Sequence, residues 1–154
     1  MNIIRSKTGS IDWRDKMRIA VIDGQGGGIG KAIVEKLKAT FGEDIEILVL
    51  GTNALATSMM IKAGANEGAS GENAIIYNAP KVDIIIGSIG IIAANSMLGE
   101  LTPLMAKAIA ESSAKKVLIP LNRCNIHVVG VNNVPLPHYI DQVIEIIKGQ
   151  IRGE

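Results

Sequence analysis

Apolar residues fall along this chain in two spacings, and their alternation predicts most of its architecture. Arg18-Ile19-Ala20-Val21-Ile22 is a short apolar run ending in a glycine cluster, the mark of a buried strand feeding a tight turn. After the turn, Ile29, Ile33 and Leu37 recur every four residues among Lys31, Glu35, Lys36 and Lys38, which predicts an amphipathic helix ending near Gly42. Residues 45–50 read as a second buried strand, residues 54–63 as a helix stopped by Gly64, and residues 65–69 as a weak third strand. A short helix is expected from near Gly71 to before Pro80, and residues 83–87 repeat the apolar-run-then-glycine pattern as strand four.

Further on, Thr102 is a cap and Pro103 takes the first position of a helix reaching about Ser113, with Leu104, Met105, Ala108 and Ile109 on one face. Residues 117–121 are strand five. Asn122-Arg123-Cys124-Asn125 reads as a turn into residues 126–131, a sixth strand with an antiparallel edge position open to it. Pro135 and Pro137 then introduce a last helix that buries Ile140, Val143, Ile144 and Ile147. Nearly all-apolar strands alternating with helices imply a parallel sheet covered on both faces. The expected fold is therefore α/β, a three-layer Rossmann-like sandwich with a mostly parallel sheet of five or six strands.

Composition narrows the function classes. A chain of 154 residues with 47% hydrophobic content suits one domain, placed at 17–150 behind an N-terminal arm at 1–16, with Met17 as an alternative start. Net charge is +1 and the 16 basic residues are scattered, which argues against a nucleic-acid partner. Cys124 is the single cysteine, so an internal disulfide and a four-cysteine zinc site are excluded; no metal is expected, and a reducing cytoplasm fits. The first sixteen residues hold no apolar run long enough for a signal peptide or membrane span, so no membrane partner is expected.

Candidate chemistry centres on Gly24-Gln25-Gly26-Gly27-Gly28-Ile29-Gly30. In such sheets ligands bind beyond the carboxyl ends of the strands, where the strand order reverses. Bare amides at a helix start attract an anion, and glycines let the backbone approach it. Gly24, Gly28, Ile29 and Gly30 resemble the Gly-x-x-x-Gly-Ile-Gly fingerprint of short-chain dehydrogenases, a resemblance that implies a dinucleotide-binding turn. Two features depart from it. The acidic residue that would grip the ribose should end strand two, where Leu50-Gly51-Thr52-Asn53 stands, and Asp23 precedes the glycines as a cap, a sugar contact or a proton acceptor. Tyr77 and Lys81 match the Tyr-x-x-x-Lys pair of the same superfamily, but Pro80 breaks the helical turn needed to stack them.

Between residues 45 and 121 the order of features also resembles methylglyoxal synthase and the regulatory domains similar to it. The likeness implies a cradle for a small phosphorylated ligand at Gly51-Thr52-Asn53 and Ser70-Gly71-Glu72-Asn73, with Glu72 or Asp23 as acid or base. That family's catalytic aspartate and histidine have no counterpart in residues 88–95. From Met17 onward the chain is similar to a small bacterial family known as a domain of unknown function, on residues 22–30, residues 51–57 and Leu121-Asn122-Arg123-Cys124-Asn125. This resemblance implies a shared pocket and no particular activity.

The expected cofactor is NAD(P) or another phosphate-bearing nucleotide, bound by a binding or regulatory module. Its site residues are Gly24, Gln25, Gly26, Gly27, Gly28, Ile29, Thr52, Asn53, Ser70, Gly71, Gly87, Ser88, Asn122 and Arg123. No reaction and no catalytic residue is assigned. The methylglyoxal-synthase-like reading is the alternative; a ligand-free oligomeric scaffold is the third, with the apolar stretch 87–98 as pocket roof, subunit interface or short buried helix. A homo-oligomer is expected. Cys124 with His127 suggests a nucleophile and base, yet strand alternation would put them on opposite faces, and His138 belongs at a helix start.

Overall fold

The computed structural model describes residues 16–121 and 125–153; the arm expected at 1–16 lies almost wholly outside them. Five strands form one parallel sheet in the order β3-β2-β1-β4-β5: β1 Met17–Asp23, β2 Ile45–Gly51, β3 Glu67–Ser70, β4 Ile84–Ser88 and β5 Lys115–Ile119. The helices are α1 Gly28–Phe41, α2 Ala54–Lys62, α3 Glu72–Asn78, α4 Pro103–Glu111 and α5 Leu136–Arg152. The three-layer α/β architecture is as the hydrophobic pattern implies.

Alternation along the central strands sends side chains to two separate cores. Ile19, Val21, Ile47, Val49, Ile84 and Ile86 pack with Ile33, Val34 and Leu37 of α1, Met60 of α2 and Val143, Ile144 and Ile147 of α5. Ala20, Ile22, Leu48, Leu50 and Ile85 face the other way, against Ile75 of α3 and Met105 and Ile109 of α4. Right-handed crossovers explain the division: β1 to β2 to β3 runs in one direction with α1 and α2 on one face, and β4 to β5 runs in the other with α4 opposite. The reversal lies between β1 and β4, so the glycine turn sits at the switch point of the sheet.

The expected sixth strand does not form: described residues 125–135 carry no strand. Asn125 (φ 63°) and Gly130 (φ 85°) adopt the left-handed region, which an extended ladder does not accommodate, and Val129 is 89% exposed, so the apolar run gains little burial. β5 therefore ends the sheet among the described residues, with Lys115 and Lys116 at its start to discourage edge pairing. Of residues 87–98, the first two end β4; a short 3-10 turn, Ile89–Ile92, follows, and then a loop that folds back on its own sheet through Ile91 and Met97 while leaving Leu98 99% exposed. No helix among the described residues is long and apolar enough to cross a membrane.

Candidate functional site

At the carboxyl edge, Asp23 ends β1 level with Gly51 of β2. Extending the β1–β4 register two residues past Val21–Ile86 brings Ser88 alongside Asp23. The chain then turns sharply: the Gly27 amide donates to the Gly24 carbonyl at 3.0 Å, and Gly27 has φ 73° with its notional Cβ 2.9 Å from Ala56 Cα. Conformation and packing both require glycine there.

Four of the amides between Gly24 and Gly30 already have protein partners. Asp23 is buried, and its carboxylate accepts from Gly24 at 2.8 Å through Oδ1 and from Gly30 at 2.7 Å through Oδ2. It caps the third amide of α1, the first of the roles the sequence left open to it. Burial pushes the Asp23 pKa above the ordinary aspartate value; the two amide bonds pull it back, and the nearby charge of Glu100 adds to the rise. The Gly27 amide is closed within the turn. The Gln25 amide donates to Glu100 Oε1 at 2.9 Å.

Glu100 is the residue that sequence reasoning missed. Its Oε1 also accepts from Thr52 Oγ1 at 2.8 Å and Asn53 Nδ2 at 2.6 Å, so a carboxylate from the loop before α4 is clamped at the end of β2. The Gln25 amide bond is the largest cause holding its pKa below the ordinary glutamate value; burial opposes it, and the Asn53 and Thr52 bonds lower it further. Asn53 bridges further: its Oδ1 caps Ala56 of α2 at 2.8 Å and its Nδ2 reaches the Gln25 carbonyl at 3.0 Å. One signal pointed to Glu100: it is the single charged residue between Asp83 and Lys107.

The remaining amides of the turn, those of Gly26, Gly28 and Ile29, have no hydrogen-bond partner among the described residues. Gly26 and Gly28 are exposed, neither has a positive φ, and a Cβ at either would meet nothing within 4 Å. Gly28 and Ile29 are the first two residues of the fourteen-residue α1, where amides lack intrahelical acceptors and the dipole favours negative charge.

Ser88 lies beside this turn on the α1 face of the sheet, sharing the alternation of Ile84 and Ile86. It is 2% exposed, and its Oγ has no hydrogen-bond partner among the described residues. A buried hydroxyl left so costs about 1–3 kcal/mol. Gly87 is a packing position, since its Cβ would lie 2.8 Å from the Ile22 carbonyl oxygen.

The second expected cradle is assembled differently. Ser70 Oγ donates to Thr57 Oγ1 at 2.7 Å, the Gly71 amide donates to the Gly51 carbonyl at 2.8 Å, and α3 behind them has only seven residues. These groups tie the end of β3 to α2 and β2 and have little capacity left for an anion. Thr52 and Asn53 belong instead to the glycine-turn cluster.

Tyr77 and Lys81 do meet despite Pro80, because a 3-10 turn at Ala79–Lys81 continues α3 and sets the Lys81 ammonium 3.1 Å from the Tyr77 ring centroid, but they sit at the wrong edge, where the Lys81 carbonyl meets Arg18 at the start of β1. Asn122, Arg123 and Cys124 lie outside the described residues, and with them the Cys124 and His127 pairing; His127 and His138 are exposed. Two cavities lie away from the turn. One is a groove of about 440 Å³ between α1 and α5, lined by Lys36, Ile140 and Asp141 among others. The other, about 250 Å³ beneath Val128 and Val131, is smaller than the roughly 300 Å³ at which ligand pockets begin.

Among solved structures the chain is similar to one titled "Crystal structure of universal stress protein in complex with cAMP", at 15% identity, TM-score 0.40, covering 68% of this chain and 98% of that one. No curated protein matches the chain. The match that carries is over residues 18–152, from the start of β1 to the last residue of α5, and it shows that the chain belongs to the family described as Domain of unknown function (DUF3842).

Proposed function

We propose that this chain is a binding or regulatory module for a phosphate-bearing nucleotide, NAD(P) being one candidate, anchored at the glycine turn. The observation that carries the reading is the pair Gly26 and Gly28. Neither is glycine for its own conformation or for packing inside the chain, and both expose unpartnered amides at the switch point of the sheet. Glycine at such positions suits the close approach of a group from outside, and a phosphate matches the amides of Gly28 and Ile29 in charge and acceptor chemistry. The unpartnered Ser88 hydroxyl next to the turn adds a donor that a bound ligand could engage. Asp23 does not oppose this, because its charge is held by two amides of the chain.

The turn supplies affinity and no reacting group, so the reading is of binding. The small-metabolite alternative has less support, since the Ser70 and Gly71 donors are already engaged. Thermal-shift measurement of the full chain against NAD, NADP, ADP, pyrophosphate and triose phosphates tests it. A nucleotide present at a hundred times its Kd stabilises by about 2.7 kcal/mol, a rise in Tm on the order of 5 °C or more. A shift with triose phosphates alone would favour the alternative, and no shift with any of them would leave the scaffold reading.

A further inference from the structure

We infer that the carboxylate of Glu100 recognises an unphosphorylated ribose, so the nucleotide taken by this site is one with a free vicinal diol. The inference rests on the nucleotide reading above and adds to it the chemical class of the sugar. In dinucleotide-binding sheets an acidic side chain at the end of the second strand accepts from the ribose hydroxyls. Here that strand end offers Gly51, Thr52 and Asn53, none of them acidic. The structure delivers a carboxylate to the same place from a segment some fifty residues further along, since Glu100 Oε1 is bonded to both Thr52 and Asn53.

How the carboxylate is held fits recognition better than simple loop closure. Three donors converge on Oε1, namely the Gln25 amide, the Thr52 hydroxyl and the Asn53 side-chain amide, while Oε2 has no hydrogen bond among the described residues. One oxygen fixes the position and the other is free to accept. Two hydroxyl donors on adjacent carbons suit such an acceptor, whereas a phosphate on the ribose brings negative charge against it. The carboxylate also divides the turn into two parts. It closes the Gln25 amide to a phosphate and leaves those of Gly26, Gly28 and Ile29, so sugar and phosphate have separate places along one short loop.

The loop that carries Glu100 is built at a conformational cost. Asn95, Met97 and Leu98 all take positive φ, at 64°, 57° and 57°, and Leu98 is left 99% exposed. Non-glycine residues held in that region cluster where the surrounding structure must place a particular group.

Isothermal titration of the full chain with ADP, 2′-deoxy-ADP, NAD, NADP and inorganic pyrophosphate, repeated on Glu100→Gln, tests the inference. ADP is expected to bind about tenfold or more tightly than 2′-deoxy-ADP, and NAD more tightly than NADP, since a hydrogen bond to a charged acceptor is worth about a factor of ten. Glu100→Gln should narrow both gaps and, with a negative charge removed from beside the turn, bind pyrophosphate at least as tightly as the parent chain. Equal binding of the ribose and deoxyribose ligands by the unaltered chain, with pyrophosphate still bound, would overturn the role of Glu100 and leave the phosphate site standing. Absence of binding by pyrophosphate and every nucleotide would overturn both. The ribose comparison needs no variant, so it holds even if Glu100→Gln disturbs the loop.

Discussion

Asp23 holds the amide of Gly30 at 2.7 Å while its other carboxylate oxygen holds that of Gly24 at 2.8 Å, so one buried side chain spans the turn between β1 and α1. An asparagine there can accept from one amide only, and its own NH₂ would face the second donor. Asp23→Asn is therefore expected to lower stability by about 1–3 kcal/mol, the cost of a buried donor without a partner, partly offset because a neutral group is cheaper to bury. A urea midpoint for the variant at or above that of the parent chain would show that the cap contributes little.

Asp23 and Glu100 should titrate in opposite directions from their ordinary values. Burial raises the Asp23 pKa, so its contribution to stability is present below the ordinary aspartate value and lost as pH rises through the higher folded value. The Gln25 amide and the two side chains lower that of Glu100; its contribution is present above the ordinary glutamate value and lost as pH falls through the lower folded one. The amide resonances report this directly. In an NMR titration the Gly30 signal should move with a midpoint above the ordinary aspartate value and the Gln25 signal with a midpoint below the ordinary glutamate value; a shift of either in the other direction would contradict its environment.

What the sequence revealed and what it concealed follow from how local each signal is. β1, α1, β2 and α4 were legible because Ile33 and Leu37 keep a helical period, residues 47–50 form an unbroken apolar run, and Thr102 caps its own helix at Met105. The run at residues 126–131 misled because periodicity says nothing of whether a neighbouring strand is there to pair with, and Val129 stays exposed. The glycine turn was legible as a turn, though which amides stay free depends on contacts no spacing encodes. The bond from Gln25 to Glu100 spans 75 residues, and the missing acid at the end of β2 is replaced from there.

Ser88 is a buried polar group without a partner among the described residues, and its removal separates two roles. Ser88→Ala deletes the orphan hydroxyl, so the ligand-free chain should keep its stability or gain up to about 1 kcal/mol. If the hydroxyl serves the bound state, the same variant should bind nucleotide more weakly. Destabilisation of the ligand-free chain by more than 1 kcal/mol would mean that the hydroxyl has a structural role after all.

Gly28 and Gly30 stand two residues apart in the first turn of α1, and replacing each by alanine should give opposite results. A Cβ at Gly30 would run into Met60 Sδ and lie 3.0 Å from the Asp23 Cβ, so Gly30→Ala forces overpacking and should cost about 1–3 kcal/mol. A Cβ at Gly28 meets nothing, and alanine is the better helix former by up to about 1 kcal/mol, so Gly28→Ala should fold at least as stably as the parent. That same methyl group stands where a phosphate would approach the Gly28 and Ile29 amides. Binding of pyrophosphate or ADP should therefore fall sharply in a chain whose Tm is unchanged or higher. Tm and titration together decide the point: a Gly28→Ala chain that binds as the parent does would show that this exposed glycine serves no ligand.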